Sequence, residues 1–208
     1  MSLKNIAVLV SGRGSNLQAI IDAIDNGSIE GKISVVISSK HDAYAIERCK
    51  VSEIDVQVIS KKDHEDISVR TDMIIRELDK REIDFVVLAG YMEILEKKLI
   101  DIYENKIINI HPSLIPSFCG KGLYGMKVHN EVYKYSVKVT GATVHFVDEG
   151  ADTGPVIMQR CIEIDEEDMP RDIAEKVLKI EHNLLPEVVG LMCKDKIVVD
   201  GRRVIILD

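Results

Sequence analysis

Short runs of apolar, mostly β-branched residues alternate with helical patterns through the first half of this chain. The first run, Ile6-Ala7-Val8-Leu9-Val10, is apolar throughout, which is typical of a strand buried on both faces of a parallel sheet. The periodicity predicts helices at 16–25, 44–50 and 67–80, and strands at 6–10, 33–37, 56–59, 85–89 and 107–110. This alternation indicates an α/β fold, with a Rossmann-like, mostly parallel sheet flanked by helices.

The pattern changes after Ser113. A loop rich in Pro, Gly and Ser runs to about Gly125, and two longer strands are predicted at 138–146 and 156–164, which could pair antiparallel. A helix is predicted at 171–191, and Asp200-Gly201 predicts the turn of a closing hairpin. Because the sequence contains no linker or repeat, residues 1–208 are expected to form a single domain with antiparallel strands in its C-terminal half.

Charge, cysteine spacing and the N-terminal sequence limit the class of protein. The 27 Lys and Arg against 35 Asp and Glu give a net charge of −8, which disfavours nucleic acid and anionic membranes as partners. The four cysteines are far apart and predict reduced thiols rather than disulfides or a zinc ribbon. No signal peptide or membrane-length apolar segment is recognisable, so we expect a cytoplasmic protein; its oligomeric state is left open.

A glycine-containing loop, Ser11-Gly12-Arg13-Gly14-Ser15-Asn16, joins the first strand to the first helix. Backbone N–H groups at such a helix start favour an anion, and a phosphate would suit the loop. A dinucleotide fingerprint needs a third glycine where Leu17 stands, and a Walker loop needs a Lys followed by Ser or Thr, so both are disfavoured. The alternative is a tight turn in which Ser15 or Asn16 only caps the helix.

The segment Asn109-Ile110-His111-Pro112 places an amide and an imidazole two residues apart at the end of a buried strand. Side chains at i and i+2 point the same way, and Pro112 ends the strand. Together the two groups could stabilise an oxyanion on an attacked carbonyl, which indicates acyl-type transfer without a covalent nucleophile. An acid of the 148–155 loop could reach His111 and raise the pKa of its ring.

Two other chemistries are conceivable for this region of the sequence. His129 and His145 could join His111 in a metal site, but the spacings match no helical or finger pattern, so no metal is expected. Cys119 could serve as a nucleophile beside His111, but nothing near it in the sequence indicates a lowered thiol pKa, so we expect a bystander.

Four blocks together resemble the folate-dependent formyltransferase family, in particular its glycinamide ribonucleotide branch. They are Ser-Gly-x-Gly-Ser-Asn-Leu at 11–17, Leu-Ala-Gly-Tyr-Met at 88–92, Asn-Ile-His-Pro-Ser-Leu at 109–114 and Asp-x-Gly-Pro at 152–155, in order along nearly the whole chain. The resemblance implies transfer of a formyl group from 10-formyltetrahydrofolate, a co-substrate, to the amino group of glycinamide ribonucleotide in purine synthesis. No metal is required by this chemistry.

The resemblance also assigns residues. Asn109, His111 and Asp152 would be catalytic, with Asp152 keeping the imidazole charged. The acceptor would be bound by its phosphate at Gly14, Ser15 and Asn16 and by its ribose hydroxyls at Glu181. The residues implied to bind the folate donor are Met92, Glu93, Ile94, Leu95, Asn109, Asp148, Glu149, Gly150, Ala151 and Asp152. Glu93 departs from the family, which usually has arginine there, and Arg70 is only near the position of a second family arginine.

Two alternatives to formyl transfer remain open from the sequence. A 10-formyltetrahydrofolate hydrolase would use an equivalent Asn-His-Asp set with water in place of the amine, although such hydrolases carry an added N-terminal domain. A non-catalytic folate- or nucleotide-binding module would keep the glycine loop and the pocket without using His111.

Overall fold

The computed structural model describes residues 3–207. Seven strands form one sheet in the order β3-β2-β1-β4-β5-β6-β7, and six helices flank it within that range. The strands are β1 (Lys4–Val10), β2 (Gly31–Ser38), β3 (Val56–Val58), β4 (Phe85–Leu88), β5 (Ile107–His111), β6 (Val139–Phe146) and β7 (Val156–Glu163). The helices are α1 (Ser15–Asp25), α2 (Ala45–Val51), α3 (Ile67–Lys80), α4 (Lys97–Ile102), α5 (Met126–Tyr135) and α6 (Pro170–Cys193).

The sheet divides the core into two layers. Alternate residues of β1 face opposite sides, so Ile6 and Val8 pack with α1, α5 and α6, while Ala7 and Leu9 pack with α3 and α4. All four of these side chains are fully buried, which explains why the first strand is apolar at every position. The predicted α/β class and flanking helices are confirmed.

Strand direction also agrees with the sequence. The first five strands are parallel, whereas β5 pairs with β6 and β6 with β7 in antiparallel fashion. The closing hairpin forms a separate two-stranded sheet from β8 (Ile197–Asp200) and β9 (Arg203–Ile206), with Gly201 at a positive φ of 58° in its turn.

Two helices were not predicted. Helix α4 has six residues, too few to show a helical period. Helix α5 follows the glycine-rich loop and buries Val128, His129 and Val132, whose i, i+1 and i+4 spacing gives only one apolar turn of signal. Residues of α5 line a cleft at the end of β5, so the sequence prediction lacked one wall of the candidate site.

Candidate active site

A cleft of about 500 Å³ opens where the strand order reverses, beside the carboxyl ends of β1, β4 and β5. Ligands of open α/β sheets bind at such a reversal. Its walls come from the loop before α1, the end of β4, the end of β5, and the facing sides of α5 and α6. The residues that line it include Arg13, Ser15, Asn16, Arg48, Met92, Asn109, His111, His129, Ala174, Leu178 and Glu181.

The glycine turn presents the start of α1 to this cleft. Gly14 is the N-cap residue with φ 69° and ψ 29°, and no side chain bonds the first turn of the helix. The alternative in which Ser15 or Asn16 caps α1 is therefore wrong, because these residues lie inside the helix. An uncapped first turn leaves backbone N–H groups available to an anion.

Asn16 connects the glycine turn to α6. Its Nδ2 donates to Oε2 of Glu181 at 2.6 Å, and both side chains are buried at 8% exposure. Burial raises the pKa of Glu181 to about 7, and the bond from Asn16 only partly opposes that rise. The predicted acceptor-binding residues Ser15, Asn16 and Glu181 thus line the same cleft.

Arg48 stands beside the glycine turn and was missed by the sequence analysis. Its Nε donates to the carbonyl oxygen of Arg13 at 2.9 Å, and its Nη1 donates to Oε1 of Gln18 at 2.9 Å. The guanidinium therefore brings positive charge to the end of the cleft formed by the start of α1. Nothing in its local sequence, inside the short helix α2, distinguishes it from a solvated surface arginine.

Asn109 is held by an unpredicted partner, His145, which lies directly opposite it in the β5–β6 pairing. Nδ1 of His145 lies 2.7 Å from the carbonyl oxygen of Phe146, so Nδ1 carries the proton and donates. Because Nδ2 of Asn109 can only donate, Nε2 of His145 accepts from it at 3.2 Å. One N–H of the Asn109 amide is used in this way, and the second is left for a ligand oxygen.

His111 is enclosed by two acceptor atoms. Its Nε2 lies 3.0 Å from the carbonyl oxygen of Phe118, and its Nδ1 lies 3.4 Å from Oδ2 of Asp152. The predicted contact between Asp152 and His111 is therefore present. An imidazole with an acceptor at each nitrogen has the surroundings of a protonated ring.

The pKa of His111 is nevertheless lowered overall in the ligand-free protein. Burial lowers the pKa and has the largest effect, while the charge of Asp152 and the Phe118 carbonyl raise it and His145 lowers it. Asp152 acts in the predicted direction, but desolvation of the ring outweighs it. The free ring is mostly neutral at pH 7.

Asp152 lies between two imidazoles. Its Oδ2 accepts from the backbone N–H of Gly120 at 2.9 Å, and its Oδ1 is 3.6 Å from Nε2 of His145. Burial would raise the pKa of this carboxyl, but the charge of a protonated His111 and the Gly120 N–H lower it. Asp152 has a left-handed backbone, with φ 58°, which costs an aspartate less than most residues. This strained backbone conformation of the loop places a carboxylate oxygen of Asp152 near His111.

Of the residues predicted to bind the donor, Met92 and Asn109 line the cleft. The backbone N–H of Met92 donates to Oγ of Ser11 at 2.8 Å, which fixes the end of β4 against that of β1. Met92 and Ile94 are exposed, whereas Leu95 packs against the core layer of α3 and α4. In the 148–152 loop, Asp148 accepts from the Gly150 N–H at 3.1 Å.

Two other donor-site residues take part in ion pairs. Oε2 of Glu93 accepts from Nη2 of Arg70 at 3.1 Å, and Nη1 of Arg70 also donates to two backbone carbonyl oxygens at 2.7 and 2.8 Å. Arg70 is thus committed to the protein interior rather than to a ligand. Glu149 pairs with Lys97 at 2.5 Å on the surface.

The structure also bears on two alternatives, Cys119 as a nucleophile and a metal site. Sγ of Cys119 donates to the carbonyl oxygen of Pro116 at 3.3 Å, and burial followed by the charge of Asp152 raises the pKa of the thiol. Cys49, Cys119, Cys161 and Cys193 are all free thiols, as predicted. Among residues 3–207, no group of three or more His, Cys, Asp and Glu side chains is arranged to hold a metal ion, and no helix is long and apolar enough to cross a membrane.

Comparison with known proteins identifies the family. Residues 4–189 match the formyl transferase family, so the chain belongs to it. A phosphoribosylglycinamide formyltransferase of Bacillus subtilis is 38% identical over 187 residues, covering 90% of this chain and 93% of that protein. The chain belongs to the phosphoribosylglycinamide formyltransferase branch of that family, a group of enzymes.

Further relatives extend the match. The chloroplastic phosphoribosylglycinamide formyltransferase of Vigna unguiculata is 40% identical over 195 residues, which cover 94% of this chain but only 62% of that protein. The crystal structure of glycinamide ribonucleotide transformylase 1 from Symbiobacterium toebii superimposes with a TM-score of 0.93 at 37% identity, covering 100% and 95% of the two chains. A formyltetrahydrofolate deformylase from Pseudomonas syringae is less similar, with a TM-score of 0.90 at 25% identity and 66% of its chain covered.

Proposed function

We propose that this protein transfers a formyl group from 10-formyltetrahydrofolate to the amino group of glycinamide ribonucleotide, a step of purine biosynthesis. One observation carries the proposal. A single cleft joins an uncapped helix start, suited to a phosphate, to the Asn109–His111–Asp152 cluster, suited to an oxyanion. The names of the relatives in the same branch support it.

In this proposal the acceptor lies along α1 and α6. Its phosphate binds the backbone N–H groups at Gly14, Ser15 and Asn16, where the charge of Arg48 adds attraction. Glu181 accepts hydrogen bonds from the ribose hydroxyls. The amine at the far end of the acceptor then reaches the ends of β4 and β5.

The proposed chemistry is attack on a carbonyl followed by loss of the folate nitrogen. The acceptor nitrogen forms a bond to the formyl carbon, and the carbonyl electron pair moves to oxygen. The free N–H of Asn109 donates to that oxyanion, and His111 faces it as a cation. A developing anion raises the pKa of a nearby imidazole, so His111 is protonated when the oxyanion forms, and the proton that the attacking amine releases is left for the departing nitrogen. The carbon–nitrogen bond to folate then breaks, and the departing nitrogen takes the proton.

Asp152 and the donor residues complete the proposed mechanism. Asp152 stabilises the His111 cation when it forms, since its carboxylate lies 3.4 Å from Nδ1. The folate pterin lies against Met92, Glu93, Ile94 and Leu95 and against the 148–152 loop. The amide and the cation supply the electrostatic stabilisation, and the bound geometry supplies the entropic part of the acceleration.

Hydrolysis of 10-formyltetrahydrofolate is the second candidate, favoured by the structural similarity to a deformylase. A hydrolase would place water, not an amine, beside Asn109 and His111. The acceptor features of the cleft favour transfer, because water requires neither a phosphate-binding turn nor a buried carboxylate at Glu181. A binding module without catalysis would leave His111 dispensable.

Product analysis tests these candidates together. Purified protein is incubated with 10-formyltetrahydrofolate, with and without glycinamide ribonucleotide, and formylated acceptor and free formate are quantified. We expect formylated acceptor, and a loss of about 10²–10³-fold in turnover in His111→Ala. Formate release independent of acceptor would support the hydrolase instead, and binding of both ligands without either product would leave only a binding module.

The single domain at 1–208 and the cytoplasmic location stay predictions.

A further inference from the structure

His129 is a cleft residue to which the proposed chemistry gives no role. It lies on the buried side of α5 with Val128 and Val132, and its side chain is 5% exposed. Val128 and Val132 pack into the hydrophobic core, whereas the His129 ring lines the cleft. A polar ring at this position costs desolvation that an aliphatic side chain would avoid.

One nitrogen of that ring is left without a partner. Nδ1 of His129 is buried and has no hydrogen-bond partner among residues 3–207. An unpaired buried N–H is rarer in proteins than an unpaired acceptor, so the proton of the neutral ring belongs on Nε2. Burial, followed by the charge of His111, lowers the pKa of His129 to about 4, which keeps the ring neutral at pH 7. The ring thus offers an N–H donor from its other nitrogen.

The His111 ring does not offer such a donor to a ligand. Its two nitrogens face the Phe118 carbonyl oxygen at 3.0 Å and Oδ2 of Asp152 at 3.4 Å. His111 therefore acts in the cleft through its charge. A ligand oxygen that needs an imidazole N–H must find it at His129.

The wall around His129 indicates which ligand it meets. Ala174, Leu178 and Glu181 of α6 line the same cleft, and Glu181 is bonded to Asn16 at the acceptor end. Asn109 and His111, at the reacting end, line this cleft together with His129. It thus belongs to the stretch between the proposed ribose site and the reacting carbon.

We propose that His129 is a binding residue for the acceptor, donating from Nε2 to the carbonyl oxygen next to the attacking amine. This proposal rests on the proposed function, since it assumes an acceptor that carries an amide carbonyl beside its amine. The contact holds the amine toward Asn109 and His111 without adding a second positive charge there.

Direct binding of glycinamide ribonucleotide, measured by calorimetry without the folate donor, tests the role. We expect His129→Leu, which removes the donor, to raise the Kd about tenfold. His129→Gln keeps a neutral N–H donor and should stay within about threefold of the wild type. Asn130→Ala, at the exposed neighbouring position of α5, is the matched control and should bind as the wild type does.

Stability measurements separate a binding role from a structural one. His129→Leu removes a buried nitrogen that has no partner, so the thermal midpoint of this variant should equal or exceed that of the wild type. If the leucine disturbs α5, His129→Met is used in its place. An unchanged Kd for glycinamide ribonucleotide in a folded His129→Leu or His129→Met protein would overturn the proposal. Equally weakened binding in His129→Leu and His129→Gln would also overturn it. A wild type that binds the acceptor but transfers no formyl group would overturn the proposed function alone.

Discussion

Oδ2 of Asp152 lies 3.4 Å from Nδ1 of His111, although Asp152 lies in the loop between β6 and β7 and His111 ends β5. The pair exists because β5 and β6 are antiparallel neighbours, and the chain that leaves β6 turns back over the end of β5. The 148–155 loop thereby brings a carboxylate to a buried imidazole.

Asp152→Asn tests this pair. The substitution removes the charge that raises the pKa of His111, so that pKa should fall further and the cation should be harder to form. We expect turnover to fall about 100-fold with little change in the Kd for glycinamide ribonucleotide. The pH–rate profile should shift toward lower pH, because a lower pH restores the protonated ring. Unchanged turnover with an unchanged profile would contradict the coupling.

Glu181 should make folding stability depend on pH. The pKa of this carboxyl is about 7 in the folded protein against 4.5 normally, so the folded state holds its proton more tightly than the unfolded state. The resulting stabilisation is complete below pH 4.5 and is lost as pH rises to about 7. Relative to Glu181→Gln, the wild type should lose about 3 kcal/mol of unfolding free energy across that range.

Urea unfolding of both proteins at pH 5 and pH 8 measures this difference. Glu181→Gln is the matched variant, because it keeps the size of the side chain and an acceptor for Asn16. Equal differences between the two proteins at both pH values would show that the carboxyl does not titrate in this range.

Cys119→Ala should leave turnover within about twofold of the wild type. Burial and the charge of Asp152 raise the pKa of this thiol, and the thiolate is the form that attacks a carbonyl. Cys161→Ala, at an exposed position of β7, serves as the control in the same kinetic assay. A loss of 100-fold confined to Cys119→Ala, or a trapped formyl thioester, would establish Cys119 as a nucleophile.

Gly14→Ala should damage the acceptor site, whereas Gly12→Ala should not. At Gly14, φ is 69° and an added Cβ would lie 2.7 Å from Cβ of Ala45, while at Gly12 no atom lies within 4 Å. Positive φ costs a non-glycine residue about 1–2 kcal/mol before any clash. We expect a lower unfolding midpoint and a Kd for glycinamide ribonucleotide at least tenfold higher in Gly14→Ala only. Equal effects of both substitutions would contradict this account of the turn.

Much of the fold could be predicted because its signals are local. The β1 to β5 strands are short apolar runs, and each predicted helix was long enough to show its period. Helix α4 is too short for that, and α5 adjoins a glycine-rich loop whose composition hid it. The antiparallel pairing of β6 with β7 followed from two long runs joined by a turn.

The site was harder to predict because its contacts join distant parts of the chain. The Asn109 and His111 pair was readable from two-residue spacing, and Asp152 from the resemblance. His145 and His129 carried no distinguishing pattern, because their roles come from strand pairing and helix packing. The net pKa of His111 required the degree of burial, which the sequence does not contain.

The pairing of β5 with β6 has a consequence for how this site can change. Asn109 faces His145 because the two strands have one particular alignment, and the residue before His145 is a valine. A one-residue insertion in β6 before Val144, with the earlier pairing kept, would bring Val144 opposite Asn109 and turn the imidazole to the other side of the sheet. The Asn109 amide would then lose its hydrogen bond to His145, although every residue of the cluster would still be present in the sequence. Grafting this site onto another scaffold therefore requires copying a strand alignment as well as a set of residues.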